Sequence, residues 1–214
     1  VVPAGEVTPT GNDHYQVFSP YHRAWSQVPL GVPEATPTVI RLPAGAEPGA
    51  VPTGALVSPV PGGETAGVAR AGAWLRSHLR GYGAGGHDAV AADATSRLSP
   101  YLHFGCVSAR ALAVRAQERG GEAFVRQLCW RDFYAQILFA QPRTQVDDMR
   151  PRGDRWLDDP EALAAWKEGM TGYPLVDAGM RQLRAEGWMH TRARMVAASF
   201  LVKDLGIDWR EGAR

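Results

Sequence analysis

The chain has 214 residues, 45% hydrophobic and 21% charged, with a formal net charge of +1. That length suits one large domain or one and a half, and the near-balanced charge does not by itself point to nucleic acid. Two cysteines, Cys106 and Cys129, are too few for a disulfide framework or a metal site and read as core thiols of a reducing, cytoplasmic setting, while no apolar run is long enough to span a bilayer and no signal-peptide pattern is present.

The charge is uneven. Residues 1–94 carry five Arg or Lys against seven Asp or Glu, whereas residues 95–214 carry 18 against 15, and 16 of those 18 cations are Arg. Arg suits fork-like contacts to phosphate. A solvated helical surface accounts for the same composition.

Residues 1–66 hold 11 of the 16 prolines. Proline removes backbone donors and disfavours both helix interiors and central strands. Val1-Val2-Pro3 reads as the tail of a strand. Residues 15–25 have a short apolar, strand-like start and then turn into a helix. From Pro29 the composition is that of an extended linker. Residues 67–80 predict a helix with Trp74, Leu75 and Leu79 on one face, ended by Gly81-Tyr82-Gly83.

The stretch Thr95-Ser96-Arg97-Leu98-Ser99-Pro100 packs three hydroxyls and a guanidinium into five positions, ahead of Gly105. Hydroxyls, successive backbone N–H groups and one Arg are what a phosphate asks of a turn. Spacing alone favours the plainer reading, a capped helix start with an ion-paired Arg. Residues 108–119 predict a helix with a Ser108 cap and a Gly120-Gly121 stop. Residues 122–141 form a longer helix with Phe124, Leu128, Ile137 and Leu138 as its apolar face. Gln127, Trp130, Arg131 and Tyr134 share a second face at three- and four-residue spacing. Such a set could stack on and hydrogen-bond a nucleobase. Spacing alone favours a Trp anchoring a helix pair with Arg131 in a salt bridge.

Residues 147–159 form a charged loop containing Trp156. Asp159-Pro160-Glu161 opens a helix that Gly169 stops, with Trp166 on its apolar side. Thr171-Gly172-Tyr173-Pro174 is a turn into a helix over 174–186, with Val176, Met180 and Leu183 inward. Residues 187–195 lead into an apolar helix over 196–205. Asp208-Trp209-Arg210-Glu211 starts another helix, so the chain is expected to be a piece of a longer protein.

Four runs in order carry a resemblance: Thr95 to Pro100, Trp130-Arg131-Asp132-Phe133-Tyr134, the segment 166–174 ending Thr171-Gly172-Tyr173-Pro174, and Gly187-Trp188-Met189-His190-Thr191-Arg192-Ala193-Arg194-Met195. Together they resemble the DNA photolyase and cryptochrome family, most of all its bacterial class I cyclobutane pyrimidine dimer photolyases. The resemblance implies a mainly α fold: residues 67–214 as part of an all-helical FAD-binding domain, 29–66 as an interdomain linker, and 1–28 as the end of an α/β domain. It implies FAD held by Tyr82, Thr95, Ser96, Arg97, Leu98, Ser99 and Arg194. It implies contacts to the lesion or its DNA from Gln127, Trp130, Arg131, Tyr134, Thr191 and Arg192. Trp156 and Trp209 match the outer and middle members of an electron-transferring tryptophan chain whose inner member lies beyond Arg214.

The implied activity is light-driven repair of cyclobutane pyrimidine dimers by electron transfer from reduced FAD, the work of a deoxyribodipyrimidine photo-lyase. The implied partner is UV-damaged DNA, met by a monomer that stays off membranes. A second antenna chromophore, a folate or a deazaflavin, would belong to the α/β domain that is nearly all outside this chain. No metal is implied. Three positions depart from the family pattern: Gln127 stands where a Glu is usual, Thr191 where the dimer enzymes carry Asn, and His87 where a DNA-contacting Arg is common. Gln127 and Thr191 lean towards the alternative, a cryptochrome-like photoreceptor with little repair. A helical scaffold that has lost flavin is the third reading, against which Tyr82, the 95–99 run and Arg194 stand. The fragment alone is expected to bind flavin weakly or not at all and to be inactive.

Overall fold

The longest helix organises the first half of the molecule. In the chain's computed structural model, which describes residues 1–214 except Glu34, Thr36, Ile40, Pro48, 51–59 and 87–93, helix α6 runs over Glu122–Ala140. Its 19 residues contain neither Gly nor Pro, Gly121 precedes it and Pro142 follows. It buries Phe124, Val125, Leu128, Cys129, Phe133 and Ile137. Leu138, expected on that face, is exposed. Adjacent helix positions point about 100° apart, so the direction that buries Ile137 turns Leu138 outward.

Helix α1, Phe18–Trp25, packs on α6 through Phe18, Tyr21 and Trp25. The strand-like start expected at residue 15 is not a strand, and neither is Val1-Val2-Pro3; no strand occurs among the described residues. Val17 is extended at φ −128°, ψ 134°. The edge-strand partner is replaced by a side chain: Tyr15 N donates to Gln136 Oε1 at 3.1 Å and Gln136 Nε2 donates to the Tyr15 carbonyl at 2.8 Å. Val2 N likewise donates to Asp132 Oδ2 at 2.8 Å. Residues 1–25 thus share one apolar core with the helices that follow.

Helix α2, Glu64–Ser77, starts three residues before the expected Gly67, with Glu64 in its first turn, where an acidic side chain favours the helix dipole. Trp74, Leu75 and Leu79 are buried as expected. A short α3, Leu79–Gly81, leads into a wide π-type turn, Tyr82–Gly86. Helix α4, Ser99–His103, and α5, Ala109–Gln117, follow, with Ser108 Oγ accepting from Ala111 N at 3.2 Å. Gly67 lets α2 approach this region: a Cβ there would lie 2.6 Å from Val107 Cγ2 and 2.9 Å from Tyr101 Cδ1. Gly67→Val is expected to cost about 1–3 kcal/mol by overpacking, read as a lowered urea midpoint.

The second half has its own core of Trp166, Val176, Met180, Met189, Ala193, Ala197, Phe200, Leu201 and Ile207. Helix α7, Pro160–Glu168, is capped by Asp159, whose Oδ1 accepts from Ala162 N at 2.9 Å, and stops at Gly169 in the left-handed conformation. Helix α8, Pro174–Glu186, stops at left-handed Gly187. Helix α9, Thr191–Ser199, widens into a π-type segment, Phe200–Asp204, where a single helix over 196–205 was expected. Trp166 Nε1 donates to the Ala197 carbonyl at 2.9 Å just before the widening, an insertion of the kind that breaks a helical ladder. Helix α10, Trp209–Ala213, ends the chain. Among the described residues no helix is long and apolar enough to cross a membrane.

Candidate functional site

The Thr95–Ser99 segment is a tight turn tied down on both sides. On one side Arg70 of α2 donates from Nε to the Ser96 carbonyl at 2.7 Å. Within the turn Leu98 N approaches Ser96 Oγ at 3.4 Å, and Leu98 is buried. Arg97 sits at φ +52°, left-handed backbone that a non-glycine residue adopts rarely. Its guanidinium does not stand open to an incoming anion: Nη1 donates to Glu186 Oε2 at 2.7 Å, and Cζ lies 4.3 Å above the Trp188 ring. Ser99 is exposed at the start of α4.

Thr95 Oγ1, in this turn, and Trp74 Nε1, on α2, are buried and find no hydrogen-bond partner among the described residues. Trp74 lies four positions beyond Arg70 on α2, so both face the same way. An unsatisfied buried polar group costs about 1–3 kcal/mol, and a ligand that pairs with it removes that cost. Tyr82 is buried edge-on to Trp74 at 5.3 Å and to Phe124 of α6 at 5.9 Å. The wide turn therefore seats against the N-terminal half of α6. His87 lies outside the described residues.

The four residues expected on one face of α6 do share it. Gln127, Arg131 and Tyr134 are exposed and Trp130 is half-buried. Trp130 is the centre of an aromatic stack: Phe18 lies parallel to it at 3.6 Å and 5°, Tyr134 at 5.7 Å and 26°. Phe18 thus closes one face of the indole. Arg131 Nη1 donates to Asp132 Oδ1 at 3.3 Å, the salt bridge of the plainer reading, while half of its side chain stays in solvent. An open groove of about 700 Å³ runs beside this face, lined by His22, Trp25, Arg126, Gln127 and Trp130 among others. Burial, and then the Arg126 charge, hold the His22 imidazole below its ordinary pKa. Burial also pushes the Cys129 thiol up to about 12, so it is an inert core thiol; Cys106 is also free and only half-buried.

Thr191, Arg192 and Arg194 are exposed on the first turns of α9. His190 caps that helix, its Nδ1 accepting from Arg192 N at 3.0 Å. The preceding Thr171-Gly172 turn is held by Asp177, a residue the sequence reading did not single out. Asp177 Oδ1 accepts from Thr171 Oγ1 at 2.6 Å and Thr171 N at 2.8 Å, and Oδ2 accepts from Gly172 N at 3.0 Å. The Thr171 hydroxyl, with these amides, holds the Asp177 carboxyl below the usual carboxylate range. A depressed folded pKa gives stability above the unfolded pKa that is lost as pH falls through the folded one. Thermal midpoints should therefore drop as pH falls below about 4, and Asp177→Asn should be less stable at pH 7 with a shallower acid slope.

Trp156 and Trp209 are both half-buried. Trp209 Nε1 donates to Asp148 Oδ1 at 2.6 Å, and Arg210 covers its ring at 4.8 Å. The segment carrying Trp156 is held to the loop before Trp209 by Leu157 N, which donates to the Gly206 carbonyl at 2.8 Å. Sequence reasoning missed Arg70 and Glu186, because each acts through a partner that only the fold brings close, and it missed Asp177 although its partners lie only five and six residues away.

Compared with known proteins, residues 124–214 match the FAD binding domain of DNA photolyase. A deoxyribodipyrimidine photo-lyase of Streptomyces griseus is 52% identical over 98% of this chain and 48% of its own length. The chain belongs to the DNA photolyase and cryptochrome family. Another deoxyribodipyrimidine photo-lyase, from Escherichia coli (strain K12), is 40% identical to this photolyase-family chain over its whole length and 49% of the relative. The structure of a bacterial class III photolyase from Agrobacterium tumefaciens superposes with a TM-score of 0.86 at 31% identity, covering 97% of this chain and 47% of that one. A cryptochrome of Synechocystis sp. PCC6803 gives 0.66 at 36% identity, covering 71% and 34%. The photolyase-family chain spans about half the length of the curated relatives it matches.

Proposed function

We propose that this chain is part of a deoxyribodipyrimidine photo-lyase that binds FAD and repairs cyclobutane pyrimidine dimers in UV-damaged DNA under light. The observation that carries the reading is the buried Thr95 hydroxyl, which has no hydrogen-bond partner among the described residues, in a turn of the family's diphosphate-binding sequence. The residues present fit the cofactor. Thr95, Ser96 and Ser99 offer hydroxyls, the turn offers backbone N–H groups, and Tyr82 and Arg194 complete the set that the family uses. Arg97 serves this site by shaping the turn, since its side chain is committed to Glu186 and Trp188.

Bound reduced FAD supplies, when excited, the electron that splits the dimer. The chain's own residues bind, orient and shield. Gln127 hydrogen-bonds the lesion as an uncharged amide, and Trp130 offers its open edge beside Tyr134. Arg131, Arg192 and neighbouring arginines meet phosphates, which makes DNA binding fall steeply with salt. Thr191 lies at the lesion with a hydroxyl in place of an amide. Trp156 and Trp209 relay electrons from the surface towards the cofactor. The domain reading follows the same pattern: 29–66 links the end of an α/β domain, 1–28, to the helical domain from 67, although residues 1–25 pack on α6.

The relatives' names favour repair over the cryptochrome alternative. The test is the visible spectrum of the whole protein after exhaustive desalting. Retained flavin bands are expected; a colourless, well-folded protein would favour a scaffold that has lost its cofactor.

A further inference from the structure

Arg97 joins the two halves of the candidate site. It leaves the 95–99 turn and meets Glu186, the last residue of α8, at 2.7 Å. Gln182 Nε2 lies 3.5 Å from both Glu186 oxygens, bracing the carboxylate from one turn back. The same guanidinium covers Trp188 at 4.3 Å. Trp188 is buried and meets His190 edge-on at 6.3 Å and 79°. His190 in turn caps the first turn of α9 through Arg192 N. Gly187 at φ +64° sets the bend between α8 and this loop, and Met189 anchors the loop in the second core. The path from Arg97 to Thr191 and Arg192 is therefore short and packed throughout.

We propose that Arg97, through Glu186 and Trp188, is a positioning residue that couples occupancy of the 95–99 turn to the loop presenting Thr191 and Arg192. The proposal rests on the reading of these two regions as cofactor-holding and lesion-facing. A phosphate bound by the turn restricts the backbone of Arg97, and that restriction passes to residues 186–192. By linkage the effect is reciprocal: lesion DNA must tighten the cofactor by the same factor as the cofactor tightens lesion DNA through this contact.

Glu186→Gln tests it, because Glu186 is placed in neither binding set. In the whole protein, loaded with FAD and kept dark at fixed salt, affinity for a thymine-dimer oligonucleotide is read by fluorescence anisotropy. FAD release is followed with and without that oligonucleotide. Wild-type is expected to prefer the dimer over undamaged DNA and to release FAD more slowly when dimer is bound. Glu186→Gln is expected to keep its flavin, bind the dimer about tenfold more weakly, equivalent to about 1.4 kcal/mol, and lose most of the slowing. Glu186→Asp, which keeps the charge, should recover part of both. A merely structural role would lower the melting temperature and leave the DNA-linked slowing of FAD release intact. Full flavin, wild-type dimer affinity and unaltered slowing in Glu186→Gln would overturn the coupling alone. If that variant does not fold, Trp188→Phe takes its place: about threefold weaker dimer binding is expected, and wild-type values overturn the proposal. A wild-type protein that holds no flavin, or does not prefer the dimer, would overturn the functional reading and the coupling together.

Discussion

Replacing Asp132 by Ala is expected to lower the unfolding free energy by about 2–5 kcal/mol, because two buried donors lose their charged acceptor. Asp132 is 3% exposed and gathers donors from three places. Its Oδ2 accepts from Val2 N at 2.8 Å and from Trp25 Nε1 at 3.1 Å. Its Oδ1 accepts from Arg131 Nη1 at 3.3 Å. Removing the carboxylate leaves the Val2 amide and the Trp25 indole buried without acceptors, at about 1–3 kcal/mol each before relaxation. Asp132→Asn should recover less than half of the loss, because its amide group turns a donor towards donors. Urea unfolding followed by far-ultraviolet circular dichroism measures both. The consequence reaches the site, since α1 carries Phe18, the ring stacked on Trp130.

Thr95→Val should have opposite effects on the two forms of the whole protein. Without cofactor the substitution removes a buried hydroxyl that has no partner among the described residues, so stability should be unchanged or higher. With cofactor it removes a hydroxyl bonded to a charged phosphate. A hydrogen bond to a charged group contributes about 1.5–3 kcal/mol, so FAD affinity should fall by roughly 10- to 100-fold. Fluorescence titration of the flavin-free protein gives the affinity, and a thermal scan of the same sample gives the stability. Equal loss in both would mean that Thr95 only supports the fold.

Local signals were legible in the sequence because their physics is local. Ser108 and Asp159 cap helices, and Gly169 and Gly187 end them in left-handed conformations, as short-range rules dictate. The 3.6-residue period put Gln127, Trp130, Arg131 and Tyr134 on one open face of α6. The failures share another cause. Residues 15–17 read as a strand because they are short, apolar and β-prone, but the Tyr15 backbone pairs with the side chain of Gln136, 121 positions away, and Phe18 already opens α1. Arg97 looks like a phosphate ligand because it stands in a phosphate-binding run, yet Glu186, 89 positions on, claims its guanidinium. The π-type widening at Phe200–Asp204 follows a donor from Trp166, on a different helix. Long-range partners of this kind leave no periodicity to read.

The most direct measurement is photorepair by the whole protein. A thymine-dimer oligonucleotide is illuminated with the flavin-loaded protein under reducing conditions, and the return of thymine absorbance is followed. Light-dependent recovery, absent in the dark, is the predicted result, with Gln127 and Thr191 tolerated in the lesion pocket. Flavin bands without recovery would contradict repair and favour the cryptochrome alternative, with Gln127→Glu and Thr191→Asn as the first substitutions to restore activity.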